Sequence, residues 1–303
     1  MHMTRALAAT KRLAAQLAAE RFVMLLDLVD VFGSGPLSGN PLAVVRGGER
    51  LDAAAMLRLT RWLGFSETTF LLPPTDPGAD YRVRIFYPAG ELPFAGHPTL
   101  GTAHAWLAAG GVPRVAGQVV QECGIGLVTV REEAGRLAFR APPLIRSGPL
   151  DASDRAETLR LTGADEGQVV AAVHAANGPG WKLLHLASAE AVLAAEPVPR
   201  APVGTDVALL GPCAPGGPAQ FEVRAFFADA SGRMAEDPVT GSLNAAVAQY
   251  LFDAGLAREG YVAAQGRKVG ADGQVYCTRD ADGSVWIAGR VETVSQGGAL
   301  VSG

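Results

Sequence analysis

A chain of 303 residues that is 49% hydrophobic and 18% charged can bury a substantial core, and its length suits two domains of about 150 residues each. Twenty-six basic residues against 30 acidic ones leave a net charge of −4, which speaks against a nucleic-acid partner because phosphate contacts call for a basic excess. No run of about 18 consecutive apolar residues occurs, so no membrane-spanning helix is expected.

Residues 1–24 are Ala-rich and basic, and read as an extra helix of no assigned function. From Leu25 the pattern changes to short strands punctuated by Gly and Pro. Strands are expected at 25–32, 42–45 and 69–72, with a helix over 52–63 between the last two. Tyr81 to Tyr87 (YRVRIFY) alternates, which predicts a half-buried antiparallel strand. A helix follows over 99–109, then a hairpin of 126–130 and 137–140, then a Pro- and Gly-rich linker over 141–149. The second half repeats the style, with strands at 169–173, 181–186, 207–210 and 221–227 and helices at 189–195 and 242–254. Strands at 261–264, 275–278, 285–287 and 291–294 close the series. Many strands with few helices, and no GxGxxG between strand and helix, predict an α+β fold rather than a dinucleotide-binding one.

The segment from Arg84 (RIFYPAGELPFAGHPTLG) matches the segment from Arg224 (RAFFADASGRMAEDPVTG) at a constant offset of 140. Arg84 meets Arg224, Phe86 meets Phe226, His97 meets Asp237 and Gly101 meets Gly241. Two related domains facing each other across a cleft are the simplest consequence. Each copy would present a helix N-terminus, whose unpaired N–H groups suit a carboxylate, with Gly96 and Gly241 admitting close backbone approach to it. His97 and Asp237 would line opposite walls. Singly, each has an ordinary reading: Asp before Pro is a common turn or N-cap, and a lone His is usually structural. Glu67 is the only charge in the apolar run LGFSETTFLL, where desolvation would raise its pKa toward that of a neutral-pH acid/base. A capping or surface glutamate at a strand entry reads equally from the residues alone. Cys123, Cys213 and Cys277 form neither a disulfide framework nor a metal-ligand pattern, and they fit a reducing cytoplasm.

Several segments together resemble the PhzF family, the phenazine-biosynthesis-like isomerases, related in fold to diaminopimelate epimerase. They are Asp30-Val-Phe with Gly39-Asn-Pro-Leu-Ala-Val-Val45, Phe65-Ser-Glu-Thr-Thr-Phe70, Glu91-Leu-Pro-Phe-Ala-Gly-His-Pro-Thr-Leu-Gly101 and Glu236-Asp-Pro-Val-Thr-Gly-Ser242. Asn177-Gly-Pro-Gly-Trp181, Gln265-Gly266 and Trp286-Ile-Ala-Gly-Arg290 support them. The resemblance implies two pseudo-symmetric domains, each a curled, mostly antiparallel, barrel-like sheet around a central helix. These would be residues 25–147 and 148–303, with the last strands available to complete the first.

It also implies a homodimer, and a biosynthetic isomerase that moves a proton on a small, carboxylate-bearing, cyclic metabolite, with no cofactor and no metal. By that resemblance Glu67 carries the proton, and His97 and Asp237 hold and polarise the substrate. Gly96, Gly241, Ser242 and Asn40 would bind it. Amino-acid epimerases of this fold use two opposed cysteines, but loops 94–97 and 237–240 hold none here. Two other readings stay open: an epimerase working through Glu67 and Asp237, and a binding protein that keeps the cleft without turnover.

Overall fold

The computed structural model describes residues 23–258 and 260–301, so the extension predicted over residues 1–24 falls almost wholly outside the described part. The first half runs β1 (Val23–Val31), β2 (Asn40–Arg46), α1 (Ala53–Leu63), β3 (Thr68–Leu72), β4 (Tyr81–Tyr87), β5 (Gly90–Leu92), α2 (Gly96–Ala108), β6 (Gln118–Cys123), β7 (Gly126–Glu133) and β8 (Arg136–Arg140). The second runs β9 (Arg146–Pro149), α3 (Ala152–Thr162), β10 (Val169–Ala176), β11 (Lys182–Leu186), α4 (Ala189–Ala194), β12 (Asp206–Pro212), β13 (Phe221–Ala228) and β14 (Met234–Asp237). It ends with α5 (Gly241–Asp253), β15 (Tyr261–Gln265), β16 (Gly273–Arg279), β17 (Val285–Gly289) and β18 (Val291–Val301).

The strands form one continuous mixed sheet in which the two halves carry the same pattern. The first half orders β1, β2, β3, β4, β6, β7 and β8, with parallel steps at β2–β3 and β4–β6. The second orders β10, β11, β12, β13, β15, β16 and β17, with parallel steps at β11–β12 and β13–β15. Antiparallel pairing of β8 with β17 joins the two. β18 adds to β1, β9 adds to β10, and the sheet does not close on itself. The fold is therefore α+β, as the strand-rich pattern predicts. The stretch expected to be a linker contains strand β9, so the boundary drawn after residue 147 falls inside a strand.

The two central helices have no apolar stripe because sheet surrounds them. In α2 the buried residues include Gly96, His97, Leu100, Gly101, Thr102 and Ala105, and in α5 they include Gly241, Leu243, Asn244, Val247, Ala248 and Leu251. Helix α1 is an outer helix: Asp52 caps it by accepting the Ala55 N–H at 2.7 Å, and Gly64 ends it in the left-handed conformation with φ 76°.

The ungapped repeat needs one correction. An offset of 140 holds at β2–β3, where Ala43 faces Thr68 as Leu183 faces Ala208. It fails at the helices, which begin at Gly96 and Gly241, 145 positions apart. The connection from β13 to α5 is five residues longer than that from β4 to α2, since Arg84 to Gly96 spans 12 positions and Arg224 to Gly241 spans 17. The counterpart of His97 is thus Ser242, the second residue of the matching helix. Asp237 instead matches Leu92: it faces Ala225 on β13 as Leu92 faces Ile85 on β4.

Candidate active site

The site is built where the two halves meet. Asp30 accepts the backbone N–H groups of Ser38 at 2.9 Å and Gly39 at 3.0 Å, fixing the turn that delivers Asn40 at the head of β2. A Cβ on Gly39 would lie 2.1 Å from the Val31 carbonyl, so no larger residue fits that turn. Asn40 is buried, and its amide nitrogen donates across to the second half, to Asp237 Oδ1 at 3.0 Å and the Val239 carbonyl at 2.9 Å. Both partners are pure acceptors, which sets the amide's orientation and leaves Asn40 Oδ1 buried without a partner.

The same amide nitrogen lies 3.5 Å from His97 Nδ1. An Nδ1–H would point at an NH2 group that cannot accept it, which favours the ring proton on Nε2, 3.3 Å from Glu67 Oε2. Both Glu67 Oε2 and His97 Nε2 are buried and lack a well-aligned hydrogen bond within the chain. Only 19% of the Glu67 side chain remains exposed. Burial pushes its carboxyl from 4.5 up to about 7, against a weaker opposing hydrogen bond from Ser66. Burial also lowers the His97 imidazole to about 4, opposed by the charge of Asp237, so the ring is neutral. Asp237 rises to about 6, first through burial and then through the charge of Glu67, with His97, Thr240 and Asn40 opposing.

The two central helices meet N-terminus to N-terminus beside these groups. A Cβ on Gly96 would lie 2.8 Å from the Phe139 ring and 2.9 Å from the Gly241 Cα, and one on Gly241 would lie 2.8 Å from the Gly96 Cα. Glycine at these positions therefore serves first the close approach of the two helices. Neither N-cap residue, Ala95 or Thr240, bonds its first turn through a side chain. Facing N–H groups and two converging helix dipoles can seat an anion. Ser242 stands on its rim: its hydroxyl accepts from Trp181 Nε1 at 3.3 Å, and its carbonyl from Asn177 Nδ2 at 2.8 Å.

A cleft of about 360 Å³ opens beside Asn40, lined by Pro41, Leu63, Phe65, Ser66 and Pro238. A larger one of about 530 Å³, between β7, the β16–β17 turn and the end of α5, contains none of these residues. Among the described residues no three His, Cys, Asp or Glu side chains group as a metal-ligand set. Nor is any described helix long and apolar enough to cross a membrane.

The structure thus brings together Glu67, His97, Asp237 and Asn40, with Gly96, Gly241 and Ser242 at the helix ends. Sequence reasoning did not single out Asp30, Thr240, Asn244 and Gln265 as site residues, nor Asn177 and Trp181, although most lie in or beside the segments that carried the resemblance.

The family model of phenazine biosynthesis-like proteins, PhzC-PhzF, matches residues 29–297. The chain belongs to this family. A predicted epimerase of Pseudomonas aeruginosa has the same fold at 30% identity, covering 92% of this chain and 99% of its own, with a TM-score of 0.73. A hydroxyproline epimerase of Agrobacterium vitis, 15% identical and covering 92% of each chain, shares the fold at a TM-score of 0.55. Over 78 residues, 26% of this PhzF-family chain and 28% of the relative, it is 51% identical to the trans-2,3-dihydro-3-hydroxyanthranilate isomerase of Pseudomonas chlororaphis. Three curated relatives matched at 34% to 51% identity are aligned over only 28% to 58% of their own length.

Proposed function

We propose that this PhzF-family protein is an isomerase that moves a proton on a small carboxylate through Glu67, without a cofactor. The observation that carries this reading is the pair of buried, unsatisfied atoms Glu67 Oε2 and His97 Nε2, 3.3 Å apart, beside the anion seat at Gly96 and Gly241. A buried polar atom without a partner costs about 1–3 kcal/mol, and a ligand that supplies the partner recovers it. A substrate carboxylate at the helix ends would bring an adjacent C–H bond to Glu67. With a pKa of about 7, that carboxyl takes and returns a proton near neutral pH. Neutral His97 donates from Nε2, and the helix dipoles offset charge developing on the substrate. Relatives bearing the name isomerase, among them the hydroxyanthranilate isomerase, support the reaction class.

The test is proton exchange. Trans-2,3-dihydro-3-hydroxyanthranilate and a panel of cyclic and acyclic 2-amino carboxylates are incubated with the protein in deuterated water and followed by mass spectrometry. The expected result is enzyme-dependent gain of one mass unit in at least one compound, abolished by Glu67→Gln. Exchange that survives Glu67→Gln refutes the assignment, and binding with no exchange supports a ligand-binding role instead.

A further inference from the structure

Behind Asp237 lies a buried chain of amides that the proton-transfer reading does not use. Gln265 Oε1 accepts the Thr240 N–H at 3.1 Å, and Gln265 Nε2 donates to the Asp237 carbonyl at 3.2 Å. These backbone partners admit only one orientation of the Gln265 amide. Asn244 Nδ2 locks it further, donating to Gln265 Oε1 at 2.8 Å and to the Thr240 carbonyl at 2.9 Å. Gln265 Nε2 also donates to Thr240 Oγ1 at 2.9 Å. Thr240 Oγ1 is thereby already an acceptor, and its single proton goes to Asp237 Oδ2 at 2.6 Å. The other carboxylate oxygen, Oδ1, takes the Asn40 amide proton at 3.0 Å. Both oxygens of Asp237 thus face donors whose directions are fixed elsewhere, while Glu67 Oε2 has no such partner.

We propose that Thr240, oriented by Gln265 and Asn244, is a positioning residue that favours Asp237 as an anionic acceptor, so that Glu67 is the group that exchanges the substrate proton. A proton on either Asp237 oxygen reduces its charge and weakens the bond it accepts from the Thr240 hydroxyl or the Asn40 amide. The titratable groups acting on the Asp237 carboxyl are Glu67, in the α1–β3 loop, and His97, on α2. From β2, β15 and α5 it meets the uncharged Asn40, Gln265 and Asn244 network. Burial and then the like charge at Glu67 favour a protonated Asp237, and the relay opposes them. The consequence separates two chemistries: an epimerase alternating Glu67 and Asp237 as opposed acids and bases needs Asp237 to exchange protons freely, and this arrangement disfavours its protonated form. The inference rests on the proton-transfer reading of the site, but its test does not require turnover, so the two can fail separately.

The experiment is a carbon-13 NMR titration of full-length protein carrying carboxyl-labelled aspartate and glutamate, with the Asp237 signal assigned by its loss in Asp237→Asn. Thr240→Val removes the hydroxyl at nearly constant volume and is expected to raise the Asp237 midpoint by about one pH unit, a roughly tenfold change in proton affinity. Thr240→Ser restores the hydroxyl and is expected to return the midpoint to the wild-type value. Should Thr240→Val not fold, Gln265→Met frees the Thr240 hydroxyl to turn away and is read for a shift in the same direction. A midpoint in the folded variant within about 0.3 unit of wild type overturns the proposal, as does a Thr240→Ser midpoint as high as that of Thr240→Val.

Discussion

Replacing Glu67 by Gln is expected to stabilise the protein at alkaline pH while abolishing proton transfer. Folding raises the Glu67 carboxyl from 4.5 to about 7, so its favourable protonated state is complete below pH 4.5 and is lost as pH climbs through 7. At pH 8 the wild-type fold therefore carries a buried carboxylate costing about 3 kcal/mol relative to the unfolded chain, whereas at pH 5 the same linkage gives about 1 kcal/mol. A neutral Gln of similar shape escapes this cost. Its melting temperature should exceed that of wild type by about 5 °C or more at pH 8, with the gap shrinking severalfold at pH 5. Paired thermal melts across this range, with deuterium exchange on the same samples, measure both halves of the prediction. A melting difference that does not change between pH 5 and pH 8 would refute the reasoning, because it would mean that Glu67 is not held in its neutral form by the fold.

Three further outcomes follow from the geometry. Gly96→Ala or Gly241→Ala puts a methyl carbon less than 3 Å from the opposing Cα and should destabilise by about 1–3 kcal/mol, read as a lowered melting temperature. The repeat supplies an internal comparison of ion pairs: Arg224–Glu236 is nearly solvent-free, with side chains 3% and 8% exposed, whereas its counterpart Arg84–Glu91 has 27% and 40%. Arg224→Met, which also strands the Val192 and Ala195 carbonyls, should cost about 3–5 kcal/mol, and Arg84→Met about 1 kcal/mol or less, in denaturant unfolding. Asp30→Ala releases the Ser38 and Gly39 N–H groups and should lower exchange activity by about tenfold or more through misplaced Asn40, leaving the pH optimum set by Glu67 unchanged.

Local signals carried much of the fold. The alternation in YRVRIFY marks β4, the cap residues Asp52 and Gly64 bracket α1, and the isolated charge in LGFSETTFLL marks Glu67. The missed or misassigned features lack a clear local signal. Strand β6 (QVVQEC) is mixed in polarity because Gln121 is buried yet satisfied by Tyr81 and Thr99, contacts that no window of sequence contains. Helix α3 begins at an Asp151 cap immediately after a Pro-rich stretch, and only three of its residues, Thr158, Leu161 and Thr162, are buried. The constant offset of the repeat paired His97 with Asp237 by matching a shared Pro–x–x–Gly string, while the chain had inserted five residues ahead of the second helix. His97 and Asp237 still share the site, but through Asn40 reaching across rather than through symmetry. The amide relay beneath Asp237 was illegible for the same reason: Thr240, Asn244 and Gln265 are unremarkable polar residues until the end of β15 meets the start of α5 and buries them together.

The pairing of β1 with β18 sets the order in which this chain can be assembled. Val23 faces Val301 and Val31 faces Val291, so one neighbour of the first described strand is supplied by the last. During synthesis β1 and β2 emerge long before β18, so β1 gains this partner only once residues 291–301 have been made. The bridge between β8 and β17 is likewise available only late. High contact order of this kind slows folding, and it couples the halves: the first cannot complete its sheet, nor the site its facing helix ends, before the second has been made.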